Sequence, residues 1–201
     1  MGPLYHPPSA IRHPPSVSLS HMNVIKVGGS LAGVDGALRR IGLRIAELAP
    51  QGQWVVIPGG GPFADQVRAF ADTHPLSPSA AHWMAILGMD QYAFALAEQI
   101  PGATVVDDQL GIQRAWSDGT IPVLAPSRWL RAADELPHRW EVTSDSLAAY
   151  LAMLLGAERL ILVKAKAGGM ELADEYFDRA LPHGMRAEIF SVDEFESLDG
   201  G

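Results

Sequence analysis

Three lysines occur in this chain of 201 residues, at positions 26, 164 and 166, against twelve arginines among its fifteen basic residues. Each stands beside a glycine cluster. Lys26 opens Lys26-Val27-Gly28-Gly29-Ser30, while Lys164 and Lys166 belong to Lys164-Ala165-Lys166-Ala167-Gly168-Gly169. An ammonium group is a compact, mobile point charge, whereas guanidinium is a planar fork, so the two are not interchangeable. A compact cation beside exposed backbone N–H groups suits a phosphate oxygen. Nucleotide binding or phosphoryl transfer is therefore the first chemistry to consider.

The glycines support it. Gly28, Gly29 and Ser30 follow a short apolar run, and Gly59-Gly60-Gly61 follows the next one, between Pro58 and Pro62. Glycine lets backbone approach a ligand closely, and a helix starting there offers free N–H groups. Three successive glycines carry an entropic cost that a plain turn seldom needs. Neither the G-x-x-x-x-G-K-[ST] loop nor the G-x-G-x-x-G fingerprint occurs, which removes two common nucleotide-binding designs. Thr143-Ser144-Asp145-Ser146 reads as a helix start with an acidic first turn. Asp145 could simply favour the helix dipole, orient the lysines, or hold Mg²⁺ through water. Lys164 and Lys166 alternate with alanines, so continued strand geometry would place both on one face. His82, His138 and His183 lack H-x-x-x-H or H-E-x-x-H spacing, and no protein metal site is readable from them.

Composition narrows the classes. The chain contains no cysteine, which excludes disulfides, thiolate metal sites and cysteine nucleophiles. A net charge of −8 argues against nonspecific nucleic-acid binding. No segment is long and apolar enough to span a membrane. Residues 1–22 carry a loose duplication, Tyr5-His6-Pro7-Pro8-Ser9 and Arg12-His13-Pro14-Pro15-Ser16, without the apolar core of a signal peptide. An extended or disordered leader is expected there, with one domain over 23–201.

The elements that must position these residues alternate along the chain. Strands are predicted over 23–27, 54–57, 104–106, 121–125, 159–163 and 187–192. Helices are predicted over 34–48, with Leu38, Ile41, Ile45 and Leu48 on one face, and over 63–71, with Phe63, Val67 and Phe70 on one side. Others are predicted from the Ser77 cap to about Gln99, over 109–116 and 144–155, and at the end. The helix after Ser77 is apolar on most sides and fits a central or interface position. Continuous apolar strands alternating with helices imply an α/β fold, a three-layer αβα sandwich around a mostly parallel sheet. Both glycine clusters then fall at the carboxyl edge of the sheet, where open α/β sheets bind ligands.

In order and spacing, the Lys26 motif, the Gly59-Gly60-Gly61 loop, Thr143-Ser144-Asp145-Ser146 and the strand ending at Lys164 resemble the amino acid kinase superfamily. Within it, Gly59 to Asp65, His82-Trp83-Met84-Ala85, Met89-Asp90-Gln91-Tyr92 and Trp140 to Ser146 are similar to small kinases of methanofuran biosynthesis and their methylotroph relatives. The resemblance implies an enzyme using ATP and Mg²⁺ on a small phosphorylated substrate, turning a phosphate monoester into a diphosphate; a cytoplasmic location is expected, compatible with the absence of cysteine, and a homo-oligomer is expected from the apolar helix from Ala80 to Gln99, which a buried core position would explain equally well. It implies that Lys26 contacts the transferred phosphoryl group and that Gly28, Gly29, Ser30, Gly59, Gly60 and Gly61 bind phosphate oxygens. It also implies that Asp145 organises the lysines and that nucleotide lies near Lys164 to Gly169, Gly168 included. A second lysine that relatives place near the carboxyl-terminal end is absent from residues 170–201; either Lys164 or Lys166 substitutes for it, or the site is altered. Two further readings stand beside this one. One is a carboxylate kinase, for which Arg68 is the candidate grip on an α-carboxylate; the other is a non-catalytic nucleotide-binding or storage protein of the same fold.

Overall fold

A computed structural model describes residues 22–198, so the predicted leader, Met22 apart, lies outside the described residues. Six strands form the sheet: β1 (Met22–Val27), β2 (Gln53–Pro58), β3 (Ala103–Val106), β4 (Ile121–Leu124), β5 (Arg159–Lys164) and β6 (Arg186–Ser191). Their spatial order is β3-β4-β2-β1-β5-β6, and every pairing is parallel. β1 thus sits centrally between β2 and β5. Its residues are buried except for partly exposed Asn23, as expected for a parallel strand covered on both sides.

Eight helices connect and cover the strands: α1 (Ala37–Leu48), α2 (Gly61–Thr73), α3 (Pro78–Ala97), α4 (Gln109–Ser117), α5 (Ser127–Ala132), α6 (Ser144–Leu155), α7 (Phe177–Ala180) and α8 (Val192–Glu196). Side chains alternate across a strand with period two, and the two cores show it. Met22 and Val24 of β1, with Leu160 and Leu162 of β5, pack with Leu147, Ala148, Leu151 and Leu155 of α6. Ile25 and Val27, with Ile161 and Val163, pack instead with Ile41 and Ile45 of α1 and with Val192 and Phe195 of α8. Even-numbered positions of β1 and β5 therefore face α6.

Three local expectations change. The first helix begins at Ala37 rather than residue 34, because Gly29–Gly33 forms a 3₁₀ turn and Gly36 is left-handed at φ 68°. α2 starts at Gly61, with Pro62 in its first turn, where a missing N–H costs nothing. Its buried face is Gly61, Ala64 and Val67. Phe70, predicted to be inward, is 44% exposed and stacks on His74 with ring centroids 4.1 Å apart. Finally, α5 and α7 have six and four residues, too short for the helical period to reveal them.

Candidate active site

The site grows from strand parity. Lys26 shares the face of Met22 and Val24, and Lys164 shares the face of Leu160 and Leu162, so both lysines point toward α6. β1 and β5 are paired with Lys26 opposite Leu162, which sets Lys164 two residues further toward the carboxyl edge. Asp145 lies in the first turn of α6 and meets both. Lys26 Nζ donates to its Oδ1 at 2.7 Å, and Lys164 Nζ donates to its Oδ2. Lys164 also donates to the Leu172 carbonyl at 2.6 Å. Lys26 and Asp145 are each 3% exposed.

A lysine–aspartate–lysine cluster carries one surplus positive charge and still has N–H donors to offer, because each ammonium has three. Burial drives the Lys26 ammonium below its ordinary value of 10.5; the pairing with Asp145 opposes that shift, and the like charge of Lys164 adds to it. For Asp145, burial acts to raise the pKa, but the two lysines outweigh it and the carboxyl titrates below 3.8. Placing phosphate against the cluster would add negative charge and favour the Lys26 ammonium form.

A second carboxylate holds the helix that presents Asp145. Asp174 accepts from the backbone N–H groups of Thr143 and Ser146, each at 3.0 Å, from Thr143 Oγ1 at 2.7 Å, from Ser146 Oγ, and from the Tyr176 N–H at 3.1 Å. It thus caps α6 from outside, satisfying first-turn N–H groups that have no intrahelical partner. Asp174 carries no sequence signal, since its partners lie about 30 residues away and nothing in Ala173-Asp174-Glu175 marks it.

The glycine loops owe much of their composition to each other. A Cβ on Gly29 would lie 2.3 Å from Gly61 N, and one on Gly59 would lie 2.5 Å from Gly29 N. The two loops touch backbone to backbone, and side chains there would drive them apart. Gly28 N–H donates to the Val163 carbonyl at 2.9 Å and Gly59 N–H to the Val27 carbonyl at 2.8 Å. Those two N–H groups, expected to meet phosphate, extend the sheet instead. The helix-start N–H groups of Ser30 and Gly61 have no intrahelical acceptor and remain suited to an anion.

Lys26, Gly28, Gly29, Ser30, Gly60, Gly61, Asp145 and Lys164 line one cavity of about 620 Å³, a size that suits a small ligand. Its remaining walls come from α2, α3 and the segment before α6, and include Arg68, His82, His138 and Trp140. Arg68 pairs with Asp65 at 2.7 Å and lies over the Trp140 ring, 5.5 Å from its centroid. Gly59 lies beneath this surface, buried against Gly29.

The structure separates the lysine pair near residue 165. β5 ends at Lys164, so alternation does not continue to Lys166, which is exposed and has no ion pair among the described residues. Gly168 and Gly169 follow on the exposed loop, where Glu171 accepts from the Gly169 N–H at 2.8 Å. One group escaped sequence reasoning altogether. His82 and His138 stack with ring centroids 4.2 Å apart, beside Asp134. The 51 residues of sequence between 82 and 134 hide this proximity, and only the Asp134-x-x-x-His138 spacing hints at part of it.

Comparison with known proteins bears on this geometry. Residues 21–168 match the profile of the amino acid kinase family. The chain belongs to that family. It is 30% identical over 177 residues to the [5-(aminomethyl)furan-3-yl]methyl phosphate kinase of Methanocaldococcus jannaschii, a match covering 88% of this chain and 77% of the relative. In fold, this family member is similar to UMP kinase from Ureaplasma parvum, at TM-score 0.63, 13% identity and coverage of 88% and 92% of the two chains. It is also similar to uridylate kinase from Archaeoglobus fulgidus, at TM-score 0.55 and 21% identity, covering 74% of this chain and just under two thirds, 65%, of that enzyme. The entirely parallel sheet and the helices on both its faces are those expected of an amino acid kinase fold.

Proposed function

We propose that this chain is an ATP-dependent phosphotransferase that adds a phosphoryl group to the phosphate of a small monoester, forming a diphosphate in methanofuran-type cofactor biosynthesis. The observation that carries it is the cluster of buried Lys26 and Asp145 with half-buried Lys164, lining a cavity shared with the two glycine loops. The identity of the Methanocaldococcus relative supports the acceptor class, because that enzyme's name specifies a furan methyl phosphate.

Phosphoryl transfer needs positioning and charge stabilisation more than covalent chemistry. Lys26 and Lys164 approach from adjacent strands with their ammonium groups tethered to one carboxylate, so their separation is set before substrate arrives. They would neutralise charge on the transferred group as the acceptor oxygen attacks in line, and the helix-start N–H groups of Ser30 and Gly61 would add fixed donors. A phosphate acceptor is already anionic and requires no general base to deprotonate it. Gly28, Gly29, Gly59 and Gly60 serve this reading by allowing the loops to pack closely enough to expose those donors. Lys166 and Gly168 lie on the loop where the nucleotide is proposed to rest, and Lys166 would meet phosphate or ribose from solvent.

Mg²⁺ enters on different terms. Both oxygens of Asp145 accept from lysines, and both of Asp174 accept from the start of α6, so each carboxylate is already engaged by protein donors. The ion would supply charge neutralisation on the nucleotide phosphates. The same reading includes a cytoplasmic homo-oligomer whose contact uses α3, where Leu87 and Phe94 are 40% and 63% exposed.

Turnover of MgATP followed by ³¹P NMR tests the activity against [5-(aminomethyl)furan-3-yl]methyl phosphate, UMP and N-acetylglutamate. A new diphosphate with the furan phosphate alone is the expected outcome. Acyl phosphate formation from N-acetylglutamate would instead establish the carboxylate kinase, and tight ATP binding without turnover on any acceptor would sink the kinase reading.

A further inference from the structure

Away from the lysine cluster, the cavity wall holds a group of side chains that phosphoryl transfer does not use. His82, near the start of α3, and His138, between α5 and α6, stack face to face at 4.2 Å with an interplanar angle of 18°. Trp83 packs edge-on against His82 and His138, at 5.5 and 5.6 Å. Asp134 Oδ1 lies 2.8 Å from His138 Nε2, and Ser79 Oγ lies 2.8 Å from His138 Nδ1. One ring nitrogen from each histidine and a carboxylate oxygen of Asp134 all lie within 4.8 Å of one another, the one such cluster among the described residues.

Three features point to a ligand. His82 is 9% exposed and makes no hydrogen bond among the described residues, and its ring nitrogens are not among the fully buried atoms but open to the cavity it lines. A ring nitrogen without a protein partner and open to a cavity has its lone pair available to a ligand. His138 is held at its other nitrogen by the Ser79 hydroxyl, the kind of outer support that orients a ligating imidazole. The Asp134 carboxylate lies 2.8 Å from Nε2, the nitrogen opposite that support, so an imidazole nitrogen and a carboxylate oxygen converge on one point. The donor set decides the class. Two imidazoles and a carboxylate suit Zn²⁺ or Co²⁺, whereas Mg²⁺ and Ca²⁺ prefer oxygen alone.

We propose that His82, Asp134 and His138 bind a divalent transition-metal ion of the zinc or cobalt class, with an open coordination position facing the cavity. Metal–nitrogen bonds of about 2.0–2.1 Å place neighbouring tetrahedral ligands about 3.3 Å apart. The His138–Asp134 pair must therefore open slightly and the widest separation close, both by side-chain rotation. Three protein ligands leave a fourth position vacant, as in sites that accept an exogenous ligand. Because both imidazoles line the cavity, that position would take an amine or an anionic oxygen of a molecule bound there. The site stands independently of the phosphoryl acceptor's identity.

Chelator-stripped full-length chain titrated with Co²⁺ and Zn²⁺ tests it, using visible d–d absorption for the first and calorimetry for the second. The expected result is one site of micromolar or tighter affinity with a visible cobalt band. His82→Ala and His138→Ala should each weaken it by about 100-fold, and Asp134→Asn by at least about 10-fold. Histidines at positions 6, 13, 21, 74 and 183 remain in every variant, so the substitutions, and not stoichiometry, assign the site. Thermal melts of each apo variant establish folding; should either histidine variant fail, exposed Asp134 carries the test alone. Binding unchanged by these substitutions, or no cobalt band in the wild type, overturns the proposal.

Discussion

At Asp145 two ammonium groups compete for one carboxylate, and that competition sets the behaviour of the individual residues. Removing Asp145 would leave Lys26 buried beside a like charge, and breaking a buried pair from one side typically costs about 3–5 kcal/mol. Asp145→Ala should lose stability on that scale in urea unfolding. The pH dependence follows from the direction of the shift. Asp145 titrates below its ordinary 3.8 in the folded chain, so its contribution is fully present above 3.8 and is lost as pH falls through the lower, folded value. The stability gap between wild type and Asp145→Asn should therefore be flat above pH 3.8 and shrink below it. For activity, burial lowers Lys26 below 10.5, so kcat/KM should decline on an alkaline limb below 10.5 that Lys26→Arg removes or moves upward. The lysines should also separate by kinetics. Lys26→Ala and Lys164→Ala should each lower kcat by about 100-fold or more, while exposed Lys166→Ala should alter KM for ATP and leave kcat within about 2-fold. Equal losses of kcat at 164 and 166 would contradict the placement.

Among the elements, α6 matters because its first turn carries the shared carboxylate. Its N-cap is assembled from two places in the chain: Thr143 locally, and Asp174 from the segment between β5 and α7. Asp174→Ala would strip several charge-assisted bonds from the helix start. A lost cap costs about 0.5–2 kcal/mol, and kcat should fall with it because Asp145 would no longer be held at a fixed depth. Unchanged melting and unchanged kcat in this variant would make Asp174 irrelevant to the site. The glycine loops show a related economy. Contact between Gly29, Gly59 and Gly61 brings the ends of β1 and β2 together, so the close approach first attributed to a ligand is partly an approach of protein to protein.

For the molecule as a whole, α3 is the element with an unfilled role. It packs Ile86, Met89, Tyr92 and Leu96 inward while Leu87 and Phe94 remain exposed. Under the proposed homo-oligomer, Phe94→Asp should reduce the mass seen by light scattering to that of one chain without changing the far-ultraviolet spectrum. A wild type that is already monomeric would refute it. No helix among the described residues is long and apolar enough to cross a membrane.

Read alone, the residues from 23 onward determined the parallel α/β class, all six strands to within a residue or two and the two glycine loops, while the partnership of Lys26 with Asp145 came only from the resemblance to a known family. They could do so because buried parallel strands are continuous apolar runs and because glycine and lysine placement is local in sequence. Strand parity would even have put Lys26 and Lys164 on one face, given the pairing of β1 with β5. Only the tertiary structure decided that pairing, and with it the choice of Lys164 over Lys166 beside Asp145. It alone revealed Asp174 beneath α6, the use of the Gly28 and Gly59 N–H groups within the sheet, and the meeting of His82 with His138. Each of these depends on segments far apart in sequence being brought within hydrogen-bond or van der Waals reach, and periodicity, which is local, carries no information about which distant segments will meet.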